Sequence, residues 1–141
     1  MGYWSEGNLN YEDMVGHVPT ALYVDDGEHD LIIECRDKTF LLRTYGDCCS
    51  ETWWADMVGV QDFLSGVTIT SVEEIPMGDP EDGRTRQEYD EAYGVRFHHE
   101  KGVFGTIYRN SSNGYYGGSC YVTEAAEIHP GATKVTQDWH A

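Results

Sequence analysis

The sequence predicts an α+β domain built mostly from antiparallel strands, six or seven of them, with one short helix. Three observations lead there. Short stretches of alternating apolar and polar residues recur along the chain, turn-forming residues separate them, and a single segment, 51–58, carries helical spacing. Ala21–Val24 opens the pattern as a strand, and Asp25, Asp26 and Gly27 form a turn signal. In the next strand Leu31, Ile33 and Cys35 share one face while Glu34 and Arg36 share the other. After a polar turn at Arg36–Lys38, a third strand over Thr39–Tyr45 sets Phe40 and Leu42 opposite Leu41 and Arg43, which completes an antiparallel meander.

Ser50 suits the N-cap of a helix over Glu51–Val58, with Gly59 as its stop. Trp53 and Met57, four apart, would share a helical face, as would Trp54 and Val58. Gln61–Leu64 adds a further turn, and Val67–Val72 returns to strand alternation. Residues 76–88 combine turn formers with charge and lack periodicity, which predicts a flexible loop. A hairpin follows, Tyr93–Glu100 and Val103–Arg109 around a Lys101-Gly102 turn, where glycine suits a left-handed backbone. Asn110–Gly114 reads as a loop and Ser119–Thr123 as the last clear strand. The organisation expected is an N-terminal arm over 1–19 and one domain over 20–141.

The 141 residues carry a formal net charge of −16, unevenly distributed. No Lys or Arg precedes Arg36, and none lies between Arg43 and Arg84, a stretch holding nine acids. Such a field repels phosphate backbones, which argues against direct nucleic-acid binding and favours a basic partner surface. The apolar runs are short, so no membrane span is expected. Four irregularly spaced cysteines do not form a secreted disulfide framework, and a reducing cytoplasm is the expected setting.

Cys48 and Cys49 are adjacent and do not readily bridge each other, since neighbouring Cα atoms are only about 3.8 Å apart. They are read as structural, packed thiols. Cys48, Cys49, His98, His99 and Cys120 offer sulfur and imidazole, but adjacent pairs lack the spacing that turns two ligands onto one zinc ion, and no metal or other cofactor is expected. Asp47 and Glu51 beside the cysteines disfavour a thiolate, and the carboxylate pairs Asp25-Asp26 and Glu73-Glu74 have the look of solvated turns and strand ends. No catalytic residue is assigned. The candidate contact residues are Tyr115, Tyr116 and Asn113 in a glycine-flanked loop, Arg96 and Arg109 on its hairpin, and Trp53 and Trp54.

Two motifs, Asp47-Cys48-Cys49-Ser50-Glu51-Thr52-Trp53 and Ser112-Asn113-Gly114-Tyr115-Tyr116-Gly117-Gly118, stand together in this chain. The combination resembles a family of small phage and prophage proteins classed only as a domain of unknown function, over roughly residues 20–123. The family's Cys-Cys usually precedes an acid directly, whereas here Ser50 intervenes before Glu51. The resemblance implies a phage origin and a host cytoplasmic setting, and it brings no mechanism with it. The functional expectation is a non-enzymatic binding protein that interferes with a host system, such as a defence system, through an acidic, aromatic surface, and that is compatible with a homo-oligomer. The alternative is a sponge for a small anionic nucleotide signal, held where Tyr115, Tyr116, Arg96 and Arg109 would converge.

Overall fold

The computed structural model describes residues 9–46, 49–84, 86–113 and 117–141. Ten strands form: β1 (Pro19–Val24), β2 (Asp30–Cys35), β3 (Thr39–Gly46), β4 (Glu51–Val58), β5 (Ile69–Gly78), β6 (Tyr89–His99), β7 (Gly102–Ser112), β8 (Gly118–Glu124), β9 (Thr133–Val135) and β10 (Trp139–His140). They pair antiparallel into two five-stranded sheets, ordered β8-β3-β2-β1-β9 and β10-β4-β7-β6-β5. The helical pieces among the described residues are a 3-10 turn at Tyr11–Met14 and a single turn, α1, at Val60–Phe63. The architecture is therefore essentially all-β, not α+β, with ten strands in place of six or seven.

The inner faces meet in one apolar core. Leu22, Leu31, Ile33, Phe40 and Leu42 come from the first sheet, and Trp54, Met57, Val95, Phe97, Phe104 and Tyr108 from the second. Period-2 alternation brings these residues inward, and the face-to-face packing is that of a sandwich. The meander β1-β2-β3 and the hairpin β6–β7 follow the sequence pattern. Met14, Val60, Phe63 and Val67 are buried in the same core. Tyr11 donates its hydroxyl to Glu74 Oε1 (2.6 Å), and Tyr108 donates to Glu74 Oε2 (3.0 Å), which ties residues before β1 to β5.

Segment 51–58 is strand β4, not a helix. Its register slips between Trp54 and Asp56, so Thr52, Trp54 and Met57 face the core while Trp53 and Asp56 face outward. The slip breaks strict alternation, and burial on both faces makes the run read as apolar throughout, which mimics helical spacing. Gly59 ends the strand in a left-handed conformation (φ 89°), and a Cβ there would stand 2.8 Å from the Val103 carbonyl. The helical turn comes after it, at the place where Gln61–Leu64 suggested one.

Strand β5 runs on through Gly78, so residues 76–78 are strand, and β7 continues through Ser112 into the expected loop. As an edge strand β5 is irregular, with register shifts at Ile69/Ser71 and Pro76/Gly78 and exposed Glu73 and Glu74, features that discourage edge-to-edge pairing. Among the described residues no helix is long and apolar enough to cross a membrane.

Each sheet also has a covered outer face. Because β8 and β9 lie at opposite edges of the first sheet, residues 125–132 cross between them and bring His129 to Asp30 (3.0 Å). Asp30 is buried on the central strand and takes a two-pronged bond from Arg43 (2.9 and 3.0 Å). Residues 79–88 perform the same service for the second sheet, and there the chemistry is richer.

Candidate functional site

The outer face of the second sheet is built in register rows across β4, β7 and β6: Trp53–Arg109–Ala92, Glu51–Ser111–Asp90 and Asp56–Ile107–Gly94. Strand alternation puts an arginine and three acids where solvent would normally lie. Residues 79–84 and 86–88 fold back over them as a strap. Arg109, 1% exposed, donates from Nη1 to Asp82 of the strap (2.9 Å) and from Nη2 to Asp90 beside it. Ser111 Oγ donates to Asp90 (2.6 Å) and accepts the backbone N–H groups of Arg86 (3.0 Å) and Gln87 (2.8 Å). Gln87 also donates from its side chain to the Cys49 carbonyl (3.0 Å).

Two strap arginines grip the sheet. Arg84 makes a two-pronged bond to Asp56 (3.2 and 3.0 Å), whose Oδ1 also lies 2.6 Å from His140 Nδ1. Arg86 lies 3.9 Å over the Trp53 ring, donates to Glu28 Oε1 (3.1 Å) and faces Glu51 at 3.7 Å. Glu28 itself is left-handed (φ 62°) in the β1–β2 turn, where its carbonyl accepts the Trp54 backbone N–H (2.7 Å). The expected flexible loop is thus pinned, because its charges find partners on the sheet beneath.

Beside the strap a cleft of about 360 Å³ opens between the sheets, lined by His29, Thr44, Tyr45, Gly46, Ser50 and Arg86 among others. His29 Nδ1 lies 3.0 Å from the Thr52 carbonyl. The sheets come close here because β3 presents Gly46, where a Cβ would stand 2.6 Å from both Ser50 Oγ and Thr52 Oγ1. The cleft adjoins the turn that carries Cys49.

The electrostatics suit holding cations. Burial alone would raise the Asp30 and Asp56 carboxyls, but the hydrogen bonds from Arg43 and His129, and from Arg84 and His140, outweigh it and hold both below the ordinary value of 3.8. At Asp82 burial again pushes the carboxyl up, but bonds from the Arg84 backbone and from the Arg109 and Arg84 side chains together outweigh it and bring its pKa to about 2. These groups are anions at neutral pH. Burial pushes the thiol of Cys35 up to about 12 and that of Cys120 further, so neither offers a thiolate. Among the described residues no three His, Cys, Asp or Glu side chains gather as a metal site requires. His98 faces outward to Glu73 (2.5 Å), while His99 is buried with Nδ1 accepting the Lys101 N–H (3.2 Å).

These environments predict acid sensitivity in two stages. Burial lowers the pKa of His99 from 6.5, so the unfolded chain gains a proton that the folded chain refuses as pH falls through 6.5, and stability declines there. The stability from Asp30, Asp56 and Asp82 is complete above their unfolded value of 3.8 and is lost as pH falls toward their lowered folded values. Urea midpoints should drop modestly from pH 7 to 5 and steeply below pH 4. His99→Gln should flatten the upper stage alone. Midpoints constant from pH 7 to 3 would show that these groups do not couple to folding.

Of the predicted contact residues, the structure brings Trp53 and Arg109 together as register partners, with the guanidinium 5.9 Å over the indole ring, and places the other described ones elsewhere. Trp54 is fully buried in the core and donates its indole N–H to the Leu42 carbonyl (3.2 Å); Trp53 is 3% exposed beneath Arg86. Among the described residues the exposed large aromatics are instead Tyr45, Tyr89 and Tyr121. Arg109 is buried and neutralised, and Arg96 is exposed four positions along β6 from Arg109's register partner, about 13 Å away at strand rise. The two arginines do not converge. Asn113 is exposed just past β7, and Tyr115, Tyr116 and Cys48 lie outside the described residues. Cys49 is exposed, so its side chain does not fill the core as a packed thiol would. Sequence reading missed Asp56, Asp82, Arg84, Arg86, Asp90 and Ser111. A signal for one of them was present: Asp56 interrupts the otherwise apolar run Trp53–Val58, which marks buried, paired charge.

Fold and site together define a class: an acidic antiparallel β-sandwich whose outer faces are closed by ion-paired straps. Over residues 12–122 the chain matches a family described as a domain of unknown function (DUF7448), and it belongs to that family. No curated protein and no solved structure matches it.

Proposed function

We propose that this is a phage-encoded, non-enzymatic binding protein that acts in the host cytoplasm by occupying a basic surface of a host protein. One observation carries the reading. Arg43, Arg84, Arg86 and Arg109 are all engaged by carboxylates of the same chain, so the acids at the surface outnumber the cations left there. Exposed Glu73, Glu74, Asp79, Glu81, Glu88 and Glu91 line β5, the strap and the start of β6, with Met77 and Tyr89 exposed among them. Acidic groups around a few apolar anchors suit recognition of a basic protein face.

The test is capture from a bacterial host lysate on immobilised protein, in low and in high salt. The expected result is a basic protein retained at low salt and released as salt is raised. Replacing Glu73, Glu81, Glu88 and Glu91 together with glutamine should abolish capture without lowering the melting temperature. Retention that persists through the fourfold substitution would remove the acidic face from the account.

A further inference from the structure

We propose that the outer face of the second sheet is an arginine-recognition site, filled in cis by Arg84 and Arg86 and open in trans to a partner segment with two arginines one residue apart. The inference deepens the proposed contact function and rests on it for the identity of the partner class.

The strap and the sheet play unequal parts in their contact. The receiving groups sit on paired strands or are held against them. Asp56 of β4, its side chain 11% exposed, presents both oxygens to one guanidinium. Trp53, three residues before it, presents a ring face to the second, flanked by Glu51 and by Glu28. A carboxylate that takes a fork of two N–H groups and an indole flanked by acids are both arginine selectors, because lysine has neither the planar fork nor the stacking surface. The donors, by contrast, lie on a loop. Pro80 is the sole apolar residue of 79–88, and the side chains of Arg84 and Arg86 remain 40% and 39% exposed. Ion pairs that exposed are individually weak, so beyond the Asp82–Arg109 pair and the two N–H bonds to Ser111 the strap is held by shallow contacts, with no apolar anchor. A short tether keeps it at an effective concentration of about millimolar, which a tighter external segment overcomes. Lifting the strap uncovers Trp53 and leaves Arg109 still paired with Asp90 on the sheet.

The probe is the peptide acetyl-Gly-Arg-Gly-Arg-Gly-amide, with its lysine counterpart as control. It is titrated calorimetrically into the wild-type chain and into Arg84→Ser/Arg86→Ser. With the cis occupant removed, the double variant should bind the arginine peptide at least about tenfold more tightly than wild type, and prefer it to the lysine peptide. Equal affinities for the two proteins, or no binding by a folded double variant, would overturn the proposal. If the double variant fails to fold, wild type carries the test by NMR: excess arginine peptide should shift the Arg86 and Gln87 amide signals, which report the Ser111 contact, and unmoved signals would refute it. Host-protein capture that is unchanged by Asp56→Asn would overturn this inference while leaving the contact function standing. Tight peptide binding by the double variant with no host protein captured would support the site and remove the contact function.

Discussion

Arg109→Met is expected to lower the stability of this protein by about 3–5 kcal/mol, the range for removing one member of a buried ion pair. The magnitude comes from what is left behind. Asp90 has a side chain 2% exposed, accepts from the Ser111 hydroxyl, and would lose the buried guanidinium that balances its charge. Asp82 would retain Arg84 and suffer less. The double replacement Arg109→Met/Asp90→Leu should recover most of the loss, since an apolar pair of similar volume removes both charges at once. Recovery is favoured further because Arg109 Nε is buried without a hydrogen-bond partner among the described residues, a cost the apolar pair does not carry. Urea denaturation read by near-UV signal measures both variants. An unchanged midpoint for the single variant would mean that the cluster contributes nothing to folding.

Trp54→Ala should cost a similar amount, about 3–5 kcal/mol, by a different route. Trp54 is fully buried, meets Tyr108 edge to face at 5.4 Å, and reaches across the sandwich to the Leu42 carbonyl of β3. Truncation removes the largest side chain of the core and the indole hydrogen bond between the sheets. Trp54→Phe should lose less, retaining ring packing without the N–H donor. Trp53→Ala supplies the contrast: it opens space beneath a polar strap and not within the core, so its cost should be clearly smaller. Equal costs for the two tryptophans would contradict a strand at 51–58, because only strand geometry with the slip at Trp54/Asp56 separates their environments. The denaturant dependence should keep its slope throughout, showing that the compact states are unchanged.

Much of the sandwich was legible in the sequence, and the residues explain which parts. β1, β2, β3 and the β6–β7 hairpin were placed because their apolar runs alternate at least in part and end in turn signals, although β2 is buried on its outer face too, at Asp30 and Ile32. β4 was not, because its outer face is roofed by the strap and its alternation is broken at Ala55; Trp53 through Met57 are all buried. The ends of β5 and β7 were missed because Pro76, Gly78 and the Asn110–Ser112 run carry turn chemistry that tertiary pairing overrides. The strap was read as mobile from composition alone. Its order comes from Asp56, Trp53 and Ser111, residues 23 or more positions away in sequence, and no local pattern encodes such pairings. For the same reason Arg109 was legible as a candidate contact residue, while its capture by Asp82 and Asp90 was not.

The division of charge follows from this wiring. The first sheet holds Arg43 at Asp30 and the second holds Arg84, Arg86 and Arg109 beneath or within its strap, so cations stabilise the molecule's own outer faces and acids are left for its surroundings. On the proposed function, a protein built in this way would meet a basic partner through long-range attraction first and local fit second.

The association rate with the captured host protein, measured by stopped flow at about 20 mM and about 200 mM NaCl, tests that claim most directly. The predicted result is a rate that falls by about tenfold or more across this range, with dissociation changing much less. A rate constant indifferent to salt would contradict the account.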